Sequence, residues 1–233
     1  MYLERLEHAL PQVRERIARA CERAGRSDDG AVALVAVTKG HPLEALRAAR
    51  AAGVDVIGES RVQEARDKWT SAGDLGLDWH LVGHLQRNKV HQALEIFSLV
   101  HSVDSLRLAQ ALDKEAAKRG QTASILVQVN ASGEAAKHGF AVGEAMDSVR
   151  EVCGLKHVRV LGLMTMAPFT DEERVLRSTF RRTRDFFERC RDGVEGFEAR
   201  HLSMGMTNDY EIAVEEGSTM VRLGTVLFGE RGS

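Results

Sequence analysis

The residue best placed for covalent chemistry is Lys39, which closes the apolar run AVALVAVTK (31–39). Period-two alternation puts it on one face with Val35 and Val37, so its ammonium is expected to be partly desolvated. Desolvation lowers a lysine pKa and makes a neutral, nucleophilic amine accessible, as Schiff-base lysines require. A strand-end lysine can equally snorkel to solvent, and Lys39 alone does not separate the two. Two further stretches combine hydroxyls with small residues. In HLSMGMTNDYE, Ser203 and Thr207 flank Gly205, where a glycine lets backbone N–H groups approach an anion. In TMVRLGTVLFGER, Gly224 and Thr225 form a second such turn just after Arg222, a charge inside an apolar run. Taken singly, either turn is also a helix cap or tight turn, and Arg222 is also a partner for a strand-end carboxylate.

These positions need a frame that brings residues 39, 203–207 and 222–225 together. Leu3, Leu6, Leu10, Val13, Ile17 and Cys21 recur at steps of three and four, giving an amphipathic helix over 2–24. Short apolar runs then alternate with helical ones. Eight strands are expected, at 31–39, 54–58, 78–83, 97–103, 123–130, 158–165, 200–204 and 219–224. They are apolar on both faces, as in a parallel sheet covered by helices. Helical stretches lie at 42–52, 61–69, 105–120 and 171–192, and Ser60/Gln63 and Thr170/Glu173 read as capping boxes. The pattern predicts an α/β fold, a (β/α)8 TIM barrel in one domain over 1–233, with the barrel at 31–231 and an extra N-terminal helix. A doubly wound open sheet is the alternative. In a barrel, ligands sit at the C-terminal strand ends and phosphates often follow strands 7 and 8. The last strand also neighbours the first, so Arg222 and Lys39 would face one ligand.

Composition narrows the function. The 32 Lys and Arg against 34 Asp and Glu leave a formal charge of -2, and aromatics are 5%, so neither a basic field nor a base-stacking surface is expected. No nucleic acid partner is predicted. The apolar run at 31–37 is far short of the roughly 20 residues of a membrane span. Cys21, Cys153 and Cys190 stand far apart, which suits thiols in a reducing cytoplasm. Among nine histidines, His80 and His84 are four apart but separated by Gly83, and no metal site is predicted. The arginine-rich stretch 171–192 is acidic first and basic later, which complements a helix dipole and reads as a solvated face.

The blocks GESRVQE (58–64), WHLVGHLQRNK (79–89), HSVDS (101–105), QVNASGEAAKHGF (128–140), GLMTMAP (162–168), LSMGMTNDYEIA (202–213) and GSTMVRLGTVLFGER (217–231), with Lys39 in AVTK, together resemble the pyridoxal phosphate homeostasis protein family. The resemblance implies the barrel of alanine racemase, the third fold type of pyridoxal 5′-phosphate (PLP) proteins. It also implies PLP as cofactor on Lys39, its phosphate held by Ser203, Thr207, Gly224 and Thr225, and Arg222 facing the pyridine nitrogen, with Gly205 of the first turn taken as a further cofactor-binding position. The family block usually reads GENxxQE, and Ser60 here stands in place of the asparagine. The implied function is PLP storage, buffering or delivery, with apo-PLP enzymes as recipients and no catalytic turnover. A small PLP-dependent racemase is the first alternative. Racemases of this fold add a tyrosine from a second domain, whereas this chain has only Tyr2 and Tyr210. A class I aldolase, outside PLP chemistry, is the second. Its lysines usually lie on later strands.

Overall fold

The structure, a computed structural model, describes residues 1–27, 32–72, 75–131, 138–143 and 145–230. Its strands are β1 (Ala33–Val37), β2 (Val56–Glu59), β3 (Asp78–Leu81), β4 (Leu99–Val103), β5 (Ala123–Asn130), β6 (Phe140–Ala141), β7 (Val158–Met164), β8 (Phe197–Ser203) and β9 (Met220–Leu223). All pairings among them are parallel. The order β4-β3-β2-β1-β9-β8-β7-β5 is closed by a β4–β5 pairing, which makes a barrel and excludes the open sheet. The two-residue β6, which the pattern did not anticipate, pairs only with the end of β5. Gly162 on β7 shows how tight the wall is. Its φ is +146°, and a Cβ there would lie 1.9 Å from the His201 carbonyl oxygen, so only glycine fits.

The helices are α1 (Tyr2–Arg23), α2 (Leu43–Ala51), α3 (Val62–Ala72), α4 (Val90–Ile96), α5 (Leu106–Lys118), α6 (Ala145–Cys153), α7 (Glu173–Gly193), α8 (Tyr210–Glu215) and α9 (Thr225–Phe228). The last two have six and four residues and cannot cover the β9–β1 seam alone. The extra helix α1 does that work. Its Leu6, Leu10, Val13 and Ile17 are buried in one cluster with Ala36, Val214, Leu223 and Leu227. Each such side chain contributes about 1.5–3 kcal/mol through burial.

Two expectations at helix starts are corrected. α3 begins at Val62, where the Arg61 carbonyl accepts the Ala65 N–H and Gln63 reaches forward to Asp67, not back to Ser60. α7 begins at Glu173, and Thr170 accepts the N–H of Glu172 at 3.1 Å, one residue short of a capping box. The face of α7 is not purely solvated either. Arg177 binds Glu215 and Glu216, and Arg181 binds Glu216, a carboxylate only 5% exposed at the end of α8.

Candidate functional site

Inside the barrel, Val35, Leu99, Leu126, Leu161, Met164 and Met220 form an apolar plug. At the C-terminal strand ends lies a cavity of about 690 Å³, within the ~300–1,000 Å³ usual for small-molecule sites. Lys39, Thr207, Arg222, Gly224 and Thr225 all line it. Ser203 and Gly205 do not. Ser203 is fully buried and engaged by other side chains. Gly205, at φ +98°, lets α8 pack closely, since a Cβ would lie 2.7 Å from that of Ala213. Its positive φ and close packing therefore require a glycine.

Lys39 sits two residues past β1, half-buried, on a platform fixed from below. Thr38 donates to Glu59 Oε1 at 2.6 Å. The Lys68 ammonium donates to the Thr38 carbonyl, Glu59 and Glu64 at 2.7–2.8 Å. Glu64 also accepts the Gly40 N–H. Burial holds the Glu59 carboxyl above the usual carboxylate range, against the pull of Lys68 and Thr38. Ser60 and Arg61 continue this strand end into the cavity wall.

Arg222 lies opposite Val35 in the β9–β1 register, and Val35 stands four residues before Lys39 along that strand end. The hydrogen-bond partners of Arg222 among the described residues are a hydroxyl and a carbonyl. Nη1 donates to Ser203 Oγ at 2.6 Å and Nη2 to the Thr165 carbonyl at 2.9 Å. Burial brings the guanidinium down to about 10, while Asp209 opposes that shift, so it stays a cation at neutral pH. Asp209 is itself buried and raised by burial, and it accepts the Met206 N–H at 2.5 Å to close the turn that presents Thr207.

Several residues found here had no role assigned from local patterns. Gln128 lines the cavity and donates to the His138 carbonyl. His41 lines it too, with Tyr2 of α1 edge-on to its ring and the Tyr2 hydroxyl 3.3 Å from Nδ1. Met166 and Met206, each 38% exposed, and Phe169, 95% exposed, form an apolar rim. At the mouth, His84 and His138 both approach Asp104, at 3.3 and 3.4 Å, with their rings stacked. His80 is instead buried inside the barrel, bonded to His101. The signal for both inner histidines was an ionisable residue at an inward position of an apolar strand. Residues 132–137 of the QVNASGEAAKHGF block lie outside the described residues.

Comparison with known proteins follows the same lines. The family model for the alanine racemase N-terminal domain matches residues 9–232. Pyridoxal phosphate homeostasis proteins of Aquifex aeolicus and Pseudomonas aeruginosa are 40% and 39% identical, covering 95% of this chain and 96% and 94% of theirs. The solved structure of PipY from Synechococcus elongatus with PLP bound is 36% identical, covers 91% of this chain and 100% of that one, and superposes with a TM-score of 0.81. Alanine racemase from Clostridium difficile, 17% identical with a TM-score of 0.74, shares the fold over 94% of this chain and 60% of its own.

Proposed function

The chain belongs to the pyridoxal phosphate homeostasis protein family, and from that premise we propose that its cavity holds PLP as a Schiff base on Lys39, for storage, buffering or delivery to apo-PLP enzymes. The observation that carries this reading is the convergence of Lys39, Thr207, Arg222, Gly224 and Thr225 on one cavity from three strand ends. The donor set fits the group. The Lys39 amine suits an aldehyde, with which it condenses by releasing one water. Thr207 lies in the turn before α8, and Gly224 and Thr225 open α9, so hydroxyls and N–H groups that favour a phosphate meet at the cavity. Arg222 is a donor for the ring nitrogen. Bound PLP supplies the aldehyde and an electron-withdrawing ring.

The same residues favour holding over turnover. A guanidinium beside the ring nitrogen keeps that nitrogen unprotonated and weakens the ring as an electron sink. Proton transfer at a substrate also needs a second base. Tyr2 and Tyr210, the tyrosines of this chain, are not among the residues lining the cavity. Borohydride reduction of the PLP-loaded protein followed by peptide mapping tests the reading. The pyridoxyl group is expected on the peptide carrying Lys39; recovery on Lys89 or Lys137, or no label at all, overturns it.

A further inference from the structure

Behind Arg222 a line of polar side chains runs down the inside of the barrel. The Ser203 hydroxyl, which accepts from Arg222, lies 3.0 Å from His101 Nδ1. His101 Nε2 lies 3.1 Å from His80 Nδ1, and His80 Nε2 lies 3.3 Å from Asp78 Oδ2. Ser203 and His101 are fully buried, and His80 is 5% exposed. Asp78 opens β3 at the opposite end of the barrel from the cavity, with its side chain half exposed and a bond from Ser98. Burial, with His80, Arg222 and His201 nearby, keeps His101 neutral, its pKa well below the usual histidine value.

One direction of donors satisfies both ends of the line. An ionised carboxylate only accepts, and a guanidinium only donates. The line is satisfied throughout when His80 gives its Nε2 proton to Asp78 and accepts at Nδ1. His101 then carries its own proton on Nε2 and accepts at Nδ1. The Ser203 hydrogen therefore points to His101, and its oxygen faces Arg222. A serine hydroxyl would otherwise rotate, and bonds aligned head to tail between a cation and an anion strengthen one another.

We infer that His101, His80 and Asp78 form a positioning chain that fixes the Ser203 hydroxyl as an acceptor for Arg222 and so aims the guanidinium at the ring nitrogen of PLP. The inference rests on the PLP reading above. These residues touch neither the cavity nor the cofactor; they act through Arg222.

The test uses Asp78→Ala and Asp78→Asn, at the far end of the barrel, in the full chain. In the unloaded protein, nitrogen NMR of the imidazoles should show the His101 proton on Nε2, with the signal assigned by its loss in His101→Gln. A proton on Nδ1 overturns the chain. In the PLP-loaded protein, Asp78→Ala should shift the absorption band of the bound cofactor and weaken PLP about five-fold, the size of a typical net hydrogen bond. Asp78→Asn, which keeps an acceptor for His80, should restore both. If the wild type binds PLP and Asp78→Ala matches it in band and affinity, the inference fails alone. If the wild type does not bind PLP, the functional reading fails and the inference with it.

Discussion

At the residue scale, a side chain's neighbours decide whether it serves a ligand or the fold. Lys39 and Arg222 were legible because alternation along one strand and an isolated charge in another are both local signals. Ser203 and Thr207 look alike in sequence, yet Ser203 is the last residue of β8 and points into the barrel, whereas Thr207 lies beyond the strand on the cavity wall. Only the barrel's interior, built by distant segments, tells them apart. This difference makes a prediction. Thr207→Ala and Thr225→Ala each remove a hydroxyl proposed to bind phosphate, a charge-assisted bond of about 1.5–3 kcal/mol, so PLP affinity should fall about ten-fold or more. Pyridoxal, which has no phosphate, should bind these variants as it binds the wild type. Ser203→Ala instead releases Arg222 and His101, and should weaken PLP and pyridoxal alike. Titrations of the three variants with both ligands check this, and a phosphate-selective loss in Ser203→Ala would return that residue to the phosphate site.

At the element scale, the eight barrel strands were readable because both-face burial is written in continuous apolar runs. The short α4, α8 and α9 offer too few turns for a periodic signal, and helix starts shift by a residue or two when other contacts claim the cap. Strand ends are where tertiary pairing takes over. Lys68 on α3 reaches back under β1 to bind Glu59, which is fully buried, and to hold the carbonyl next to Lys39. Lys68→Met should therefore strand a buried carboxylate and destabilise the fold by about 3–5 kcal/mol in urea titrations at neutral pH. The pH dependence has a definite sign. Burial already raises Glu59 in the folded state, and loss of Lys68 raises it further. A group with a raised folded pKa adds stability below its unfolded pKa, about 4.3 for Glu, and loses it as pH rises through the folded value. The penalty of Lys68→Met should therefore shrink towards about pH 4 and be largest near neutrality. An equal penalty at both pH values would show that the loss comes from packing of the lysine stem.

At the scale of the whole molecule, the described residues build the barrel and α1, and the chain covers 60% of the alanine racemase chain whose fold it shares. Here the mouth is edged by Met166, Phe169 and Met206, with His84, Asp104 and His138 at one side. Tyr2 is spent behind the cavity lining, where its ring meets His41 and Phe228, and Tyr210 packs under α1 in the outer cluster. Racemisation takes a proton from one face of an α-carbon and returns one to the other, so it needs two bases on opposite sides. On the proposed reading Lys39, once its amine is freed, could act on one face, and α-hydrogen exchange on that face would be open to it. The PLP-loaded protein, incubated with L-alanine in heavy water, should then take up deuterium slowly while forming D-alanine at well under the ~1–1,000 per second of ordinary enzymes. Chiral chromatography and mass spectrometry of the alanine read both quantities in one sample. D-alanine appearing at an enzymatic rate, with deuterium in both isomers, would mean that a second base reaches the cavity and would replace the carrier reading with a racemase.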